Sequence, residues 1–70
     1  MVEKTIELTG ASAAGIEDAV ALAVARAGVT IEGIRRVEVV EIGAEVEDNA
    51  ITLWRVRVKV TFGVHDQLHE

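Results

Sequence analysis

Residues 51–64 constrain the fold of this chain more than any other stretch. The even positions from 54 to 62 are Trp54, Val56, Val58, Val60 and Phe62, and the odd positions from 55 to 61 are Arg55, Arg57, Lys59 and Thr61. Successive side chains of a strand point to opposite faces, so this period of two predicts a strand with one apolar face and one basic, hydroxylated face. The apolar face needs a cover. The polar face meets water, a ligand or another subunit.

Residues 35–45 are rich in β-branched side chains and form the partner strand. Their alternation is imperfect, because Val37 and Val39 share one parity while Val40 and Ile42 share the other. Either both faces are partly buried, or a bulge near Val40 or Gly43 switches the faces. Glu47-Asp48-Asn49 has the chemistry of a tight turn and closes a hairpin. Near the N-terminus, Ile6 and Leu8 alternate with Thr5, Glu7 and Thr9, which predicts a first strand over residues 3–9.

Thr9-Gly10-Ala11-Ser12 reads as a turn into a helix, with the Ser12 hydroxyl as N-cap. Glu17 and Asp18 suit the positive end of the helix dipole, Arg26 suits its negative end, and Gly28 fits the stop. Ile16, Val20, Ala23, Val24 and Ala27 make one apolar stripe. The helix is rich in alanine, which lets it lie close to a sheet and leaves a wide surface for other subunits. The predicted architecture is α+β: β-α-β-β, a three-stranded antiparallel sheet packed on one helix. It forms a single domain over residues 1–70, with a polar tail at 65–70.

A chain of 70 residues buries only about 60% of the surface it exposes when unfolded, so it needs help to be stable. It has no cysteine for a disulfide or thiolate site. His65 and His69 near the C-terminus leave a weak imidazole-site candidate. Self-association is the most economical remaining device. The net charge of −5 argues against a general nucleic-acid binder, which needs a basic stripe. No apolar run is long enough to span a bilayer, and no signal peptide is evident, so a cytoplasmic protein without membrane partners is the expectation.

No nucleophile–base–acid constellation is present, so the chain is not expected to be an enzyme. Glu38, Glu41, Glu45, Glu47 and Asp48 read most simply as surface carboxylates pairing across strands with Arg55, Arg57 and Lys59. Oxygen ligation of a hard cation is the rival reading. The strand-to-helix junction at Thr9–Ser12 could meet an anion, but capping is the simpler role. Trp54 has the parity of the core, so packing is favoured over ligand stacking. Arg36 and Arg55 stand on adjacent strands, as surface charge or as two planar cations facing one pocket.

Several stretches together resemble the dodecin family. They are Leu8-Thr9-Gly10-Ala11-Ser12, Ala25-Arg26-Ala27 in an alanine-rich helix, Val37-Glu38-Val39 followed by Glu41, and Val58-Lys59-Val60-Thr61-Phe62. The resemblance covers nearly the whole chain. It implies a homododecameric shell that binds riboflavin or FMN between subunits for storage or photoprotection, without catalysis. It places the cofactor at Arg36, Glu38, Glu41 and Arg55. In the family the stacking position before Val-Glu-Val is usually tryptophan and is Arg36 here. The ring-contacting glutamine falls on Arg55, and the acidic position that meets the ribityl chain is kept as Glu41. Arginine can stack and donate several hydrogen bonds, at a loss of about 1 kcal/mol per missing aromatic contact. Some relatives without the tryptophan are associated with calcium, and Arg55 resembles that branch. A flavin-independent shell holding a divalent cation is therefore the alternative.

Overall fold

The alternating stretches all form strands, and they are longer than their patterns predict. In the computed structural model, which describes residues 1–64, the order is β1 (Val2–Ser12), α1 (Ile16–Gly28), β2 (Ile34–Glu47) and β3 (Ala50–Val64). The sheet order is β1-β3-β2, with β3 antiparallel to both neighbours. β1 and β2 therefore run parallel, and α1 connects them across the strand inserted between. The polar tail at 65–70, with His65 and His69, lies outside the described residues.

Helix α1 covers the even face of β3. Val56, Val58 and Val60 are fully buried there beneath Ala19, Ala23 and Ala27, with Ile6, Leu8, Ile16, Val20, Ile31, Ile34 and Val37 packed around them. The buried line of the helix runs at every fourth residue through three alanines. The predicted stripe found Ala23 and Ala27 but passed over Ala19, whose burial is complete.

Gly10 explains why the helix can lie so close. A Cβ there would stand 2.1 Å from the Ala19 carbonyl oxygen, so only glycine admits the helix backbone at this point. This corrects the reading of Thr9–Ser12 as a turn. These residues continue β1, and Ser12 is its last residue. Ser12 is not the N-cap either, because α1 begins four residues later, after Gly15, and has no side-chain cap. The Ser12 hydroxyl accepts from the Ala14 N–H (2.9 Å) and donates to Asp18 Oδ2 (2.6 Å), tying the connecting loop to the first turn. Glu17, Asp18 and Arg26 sit at the helix ends as expected. Gly28 is the last helical residue, and the cap beyond it is Val29 in ordinary αR conformation, so no left-handed glycine stop occurs.

The β2–β3 hairpin closes through Asp48 and Asn49, both at positive φ (51° and 66°), between the paired Glu47 and Ala50. Two consecutive residues in that region make the turn whose twist matches a hairpin. The ladder shifts register between Val39 and Glu41, so Val40 is the extra residue of a bulge. The bulge is one of the alternatives offered by the imperfect alternation, and it keeps β2 in step with β3 on both sides.

β1 pairs with β3 as far as Trp54, so the hairpin runs on beyond the helix and first strand. The chain measures 58 × 19 × 12 Å, and its radius of gyration is 14.9 Å. A compact chain of this length would have about 11 Å. Val46 and Ile51 on this arm are more than half exposed (60% and 52%), and Ile42, which pairs with Val56 before the arm begins, is half exposed (50%).

Candidate ligand-binding face

The register of β3 with its neighbours decides which side chains share the face opposite the helix. With Val56, Val58 and Val60 buried under α1, the odd residues of β3 point away from it. On the β2 side, Thr61, Lys59, Arg57 and Arg55 stand opposite Arg36, Glu38, Glu41 and Gly43. On the β1 side they stand opposite Thr5, Glu7, Thr9 and Ala11. The bulge at Val40 is what makes this possible, since it brings even residues Arg36 and Glu38 and odd residue Glu41 to one face. All four residues implicated from sequence (Arg36, Glu38, Glu41 and Arg55) therefore lie on the outer face of one sheet.

The face is a ladder of opposite charges. Arg36 Nη2 donates to Glu3 Oε1 (3.1 Å), reaching across the central strand. Arg35 Nη1 reaches the other oxygen of Glu3 (3.5 Å), and its guanidinium lies over Gly63, where a Cβ would stand 2.8 Å from Nη2. Arg57 Nη1 donates to Glu7 Oε1 (3.4 Å) and Nη2 pairs with Glu41 Oε1 (2.8 Å), so one guanidinium links all three strands. Arg55 Nε donates to Glu45 Oε2 (3.1 Å). These side chains range from 29% to 67% exposed, and such pairs contribute little stability each, on the order of 0–1 kcal/mol. Their larger effect is to hold long side chains in fixed directions. Near the Arg36 end, Thr5 and Thr61 share a hydroxyl hydrogen bond of 3.0 Å, with Thr61 buried.

Arg36 and Arg55 do not face one pocket within the chain. Arg36 stands opposite Thr61 and Arg55 six residues away on the same strand, about 20 Å along it. A cavity of about 270 Å³ instead lies over Gly43, lined by Thr9, Glu41, Arg55 and Arg57. A Cβ on Gly43 would meet nothing within 4 Å. Here Arg55 uses only Nε for its ion pair, and Glu41 only Oε1, so the Arg55 Nη donors and the Glu41 Oε2 acceptor have no hydrogen bond or ion pair among the described residues. A second cavity, about 370 Å³, lies at the other end beside Arg35, Glu32, Gly33, Gly63 and Val64.

Arg57 is the residue the sequence reading missed as a site component. Its parity marked it as outward, but its place between two glutamates depends on two strand registers at once. Trp54 is half-buried opposite Ser12 and Ala44 and lies outside the core cluster. The acidic run from Glu41 to Asp48 does not converge. Glu41 and Glu45 are engaged by arginines, Glu47 and Asp48 stand at the hairpin tip, and the described residues contain no cluster of three acidic or histidine side chains able to hold a metal. No helix among them is long and apolar enough to cross a membrane.

An elongated β-α-β-β unit with a charged, pocketed outer sheet face defines a class of small two-layer proteins, and comparison with known structures narrows it. The dodecin of Streptomyces coelicolor superposes with a TM-score of 0.89 at 29% identity over 94% of each chain. A single-residue mutant of the Thermus thermophilus dodecin gives 0.90 at 32% identity, covering 94% of this chain and 97% of that one. The calcium dodecin of Mycobacterium tuberculosis gives 0.81 at 28% identity over the full length of both. No curated protein matches. The Dodecin family matches residues 2–65, and the chain belongs to that family.

Proposed function

We propose that copies of this chain assemble into a shell, a homododecamer, and that the outer sheet faces bind riboflavin or FMN between subunits without catalysing a reaction. The observation that carries the reading is the gathering of Arg36, Glu38, Glu41 and Arg55 on one outer face, with unpaired donors and an acceptor around the Gly43 cavity. Arg55 Nη groups suit the carbonyl edge of a flavin ring, Glu41 Oε2 suits a ribityl hydroxyl, and Arg36 supplies a planar cation for stacking. Arg36 lies far from Arg55 in one chain, so a site using both takes them from different subunits. Self-association is supported by the elongated shape and the exposed Ile42, Val46 and Ile51. Storage or photoprotective sequestration in the cytoplasm is the role that fits this reading.

Fluorescence titration of riboflavin and FMN with the assembled protein tests this. Saturable quenching supports it, and unchanged fluorescence at high protein concentration refutes it. The second reading, a shell that binds calcium and no flavin, is favoured by the likeness to the calcium dodecin. Because the described residues of one chain hold no cluster of three acidic or histidine ligands, this reading places the ion between subunits. Calorimetric titration with calcium and magnesium should then give heat where the flavins give no quenching.

A further inference from the structure

We infer that Arg57 is a positioning residue that presents Glu41 to the hydroxyl-bearing chain of the ligand, an inference that rests on the flavin reading above. Arg57 stands on the central strand with one glutamate on each side, and its two terminal nitrogens are divided between them. Nη1 pairs with Glu7 on β1 (3.4 Å), which biases the guanidinium against swinging away with Glu41. Nη2 takes only Oε1 of Glu41, at 2.8 Å. The carboxylate is thereby oriented on the lining of the cavity over Gly43 with Oε2 uncommitted. Without this anchor an exposed glutamate samples several rotamers, and a ligand would have to freeze it on binding.

The chemistry selects what Glu41 meets. A carboxylate oxygen accepts hydrogen bonds and donates none, so its natural partner is a hydroxyl donor. The acceptor atoms of a ring suit the Arg55 Nη groups that line the same cavity. Arg57 thus acts on the polyol end of the ligand and leaves the ring end untouched. Its two-pronged planar geometry is needed, since a lysine ammonium is a point charge that does not divide itself between two carboxylates in a fixed plane.

Two ligands separate the two ends: riboflavin, which carries the polyol, and lumiflavin, which has the same ring with a methyl group in its place. The wild-type chain should bind riboflavin more tightly. Arg57→Gln should weaken riboflavin by at least about fivefold, the effect of losing an oriented hydrogen bond to a charged group, and shift lumiflavin by less than about twofold. Arg57→Lys should fall between, and Arg57→Gln combined with Glu41→Gln should be no worse than Glu41→Gln alone. Light scattering on each variant confirms that the assembly persists; if Arg57→Gln disassembles, the Arg57→Lys comparison carries the test. Equal losses for both flavins in the variants, or none for either, overturn the inference. So does a wild-type chain that binds the two flavins equally well, a result that leaves the flavin reading standing. A wild-type chain that binds neither overturns the reading, and this inference with it.

Discussion

Two glycines on the sheet have opposite jobs, and the difference is visible in what a methyl group would meet. At Gly10 a Cβ would strike the backbone carbonyl of Ala19, which cannot move without lifting the helix. Gly10→Ala should destabilise the fold by about 1–3 kcal/mol or more, the cost of overpacking, as measured by chemical denaturation. At Gly43 a side chain enters open space above the outer face, and the backbone there is not left-handed. Gly43→Val should leave stability unchanged or slightly raised, because a β-branched residue suits a strand. It should abolish flavin quenching by filling the cavity lined by Arg55 and Glu41. A loss of folding in Gly43→Val would show that the cavity is a packing feature and not a site.

At the scale of elements, the alternation of residues 51–64 was enough to establish β3, its buried face and its basic face. The same rule exposed the defect in β2, and the bulge at Val40 accounts for it. What the pattern could not give was the pairing of each arginine with its glutamate, since that requires the registers of two neighbouring strands. The mistaken reading of Thr9–Ser12 has a similar cause. Glycine and serine favour turns locally, but here the glycine answers a long-range demand, the approach of Ala19, which no local rule reports. The hairpin turn was legible because Asp48 and Asn49 are among the few non-glycine residues that tolerate positive φ. Asn49→Val should cost about 1–2 kcal/mol in thermal or chemical denaturation, whereas Asn49→Gly should be neutral or stabilising.

A single chain leaves apolar surface uncovered. Six apolar residues are buried among those described, three of them alanines, while Val46 and Ile51 stay more than half exposed on an arm with no helix over it. The family resemblance was legible from motifs spread over nearly the full length, and it holds at residues 2–65. The ligand was less legible, because the stacking and ring-contacting positions are both arginine, a residue equally at home in a surface ion pair. Each of these arginines does make such a pair, Arg36 with Glu3 and Arg55 with Glu45. In the proposed assembly the arm is buried between subunits, so Val46→Lys should weaken assembly, read as a drop in mass by light scattering on dilution.

Native mass spectrometry of the purified protein mixed with riboflavin tests assembly and ligand together. The account predicts a single dominant species of twelve 7.5 kDa chains that carries bound riboflavin. A 7.5 kDa monomer, or an assembly that leaves the instrument without flavin at saturating concentration, would contradict it.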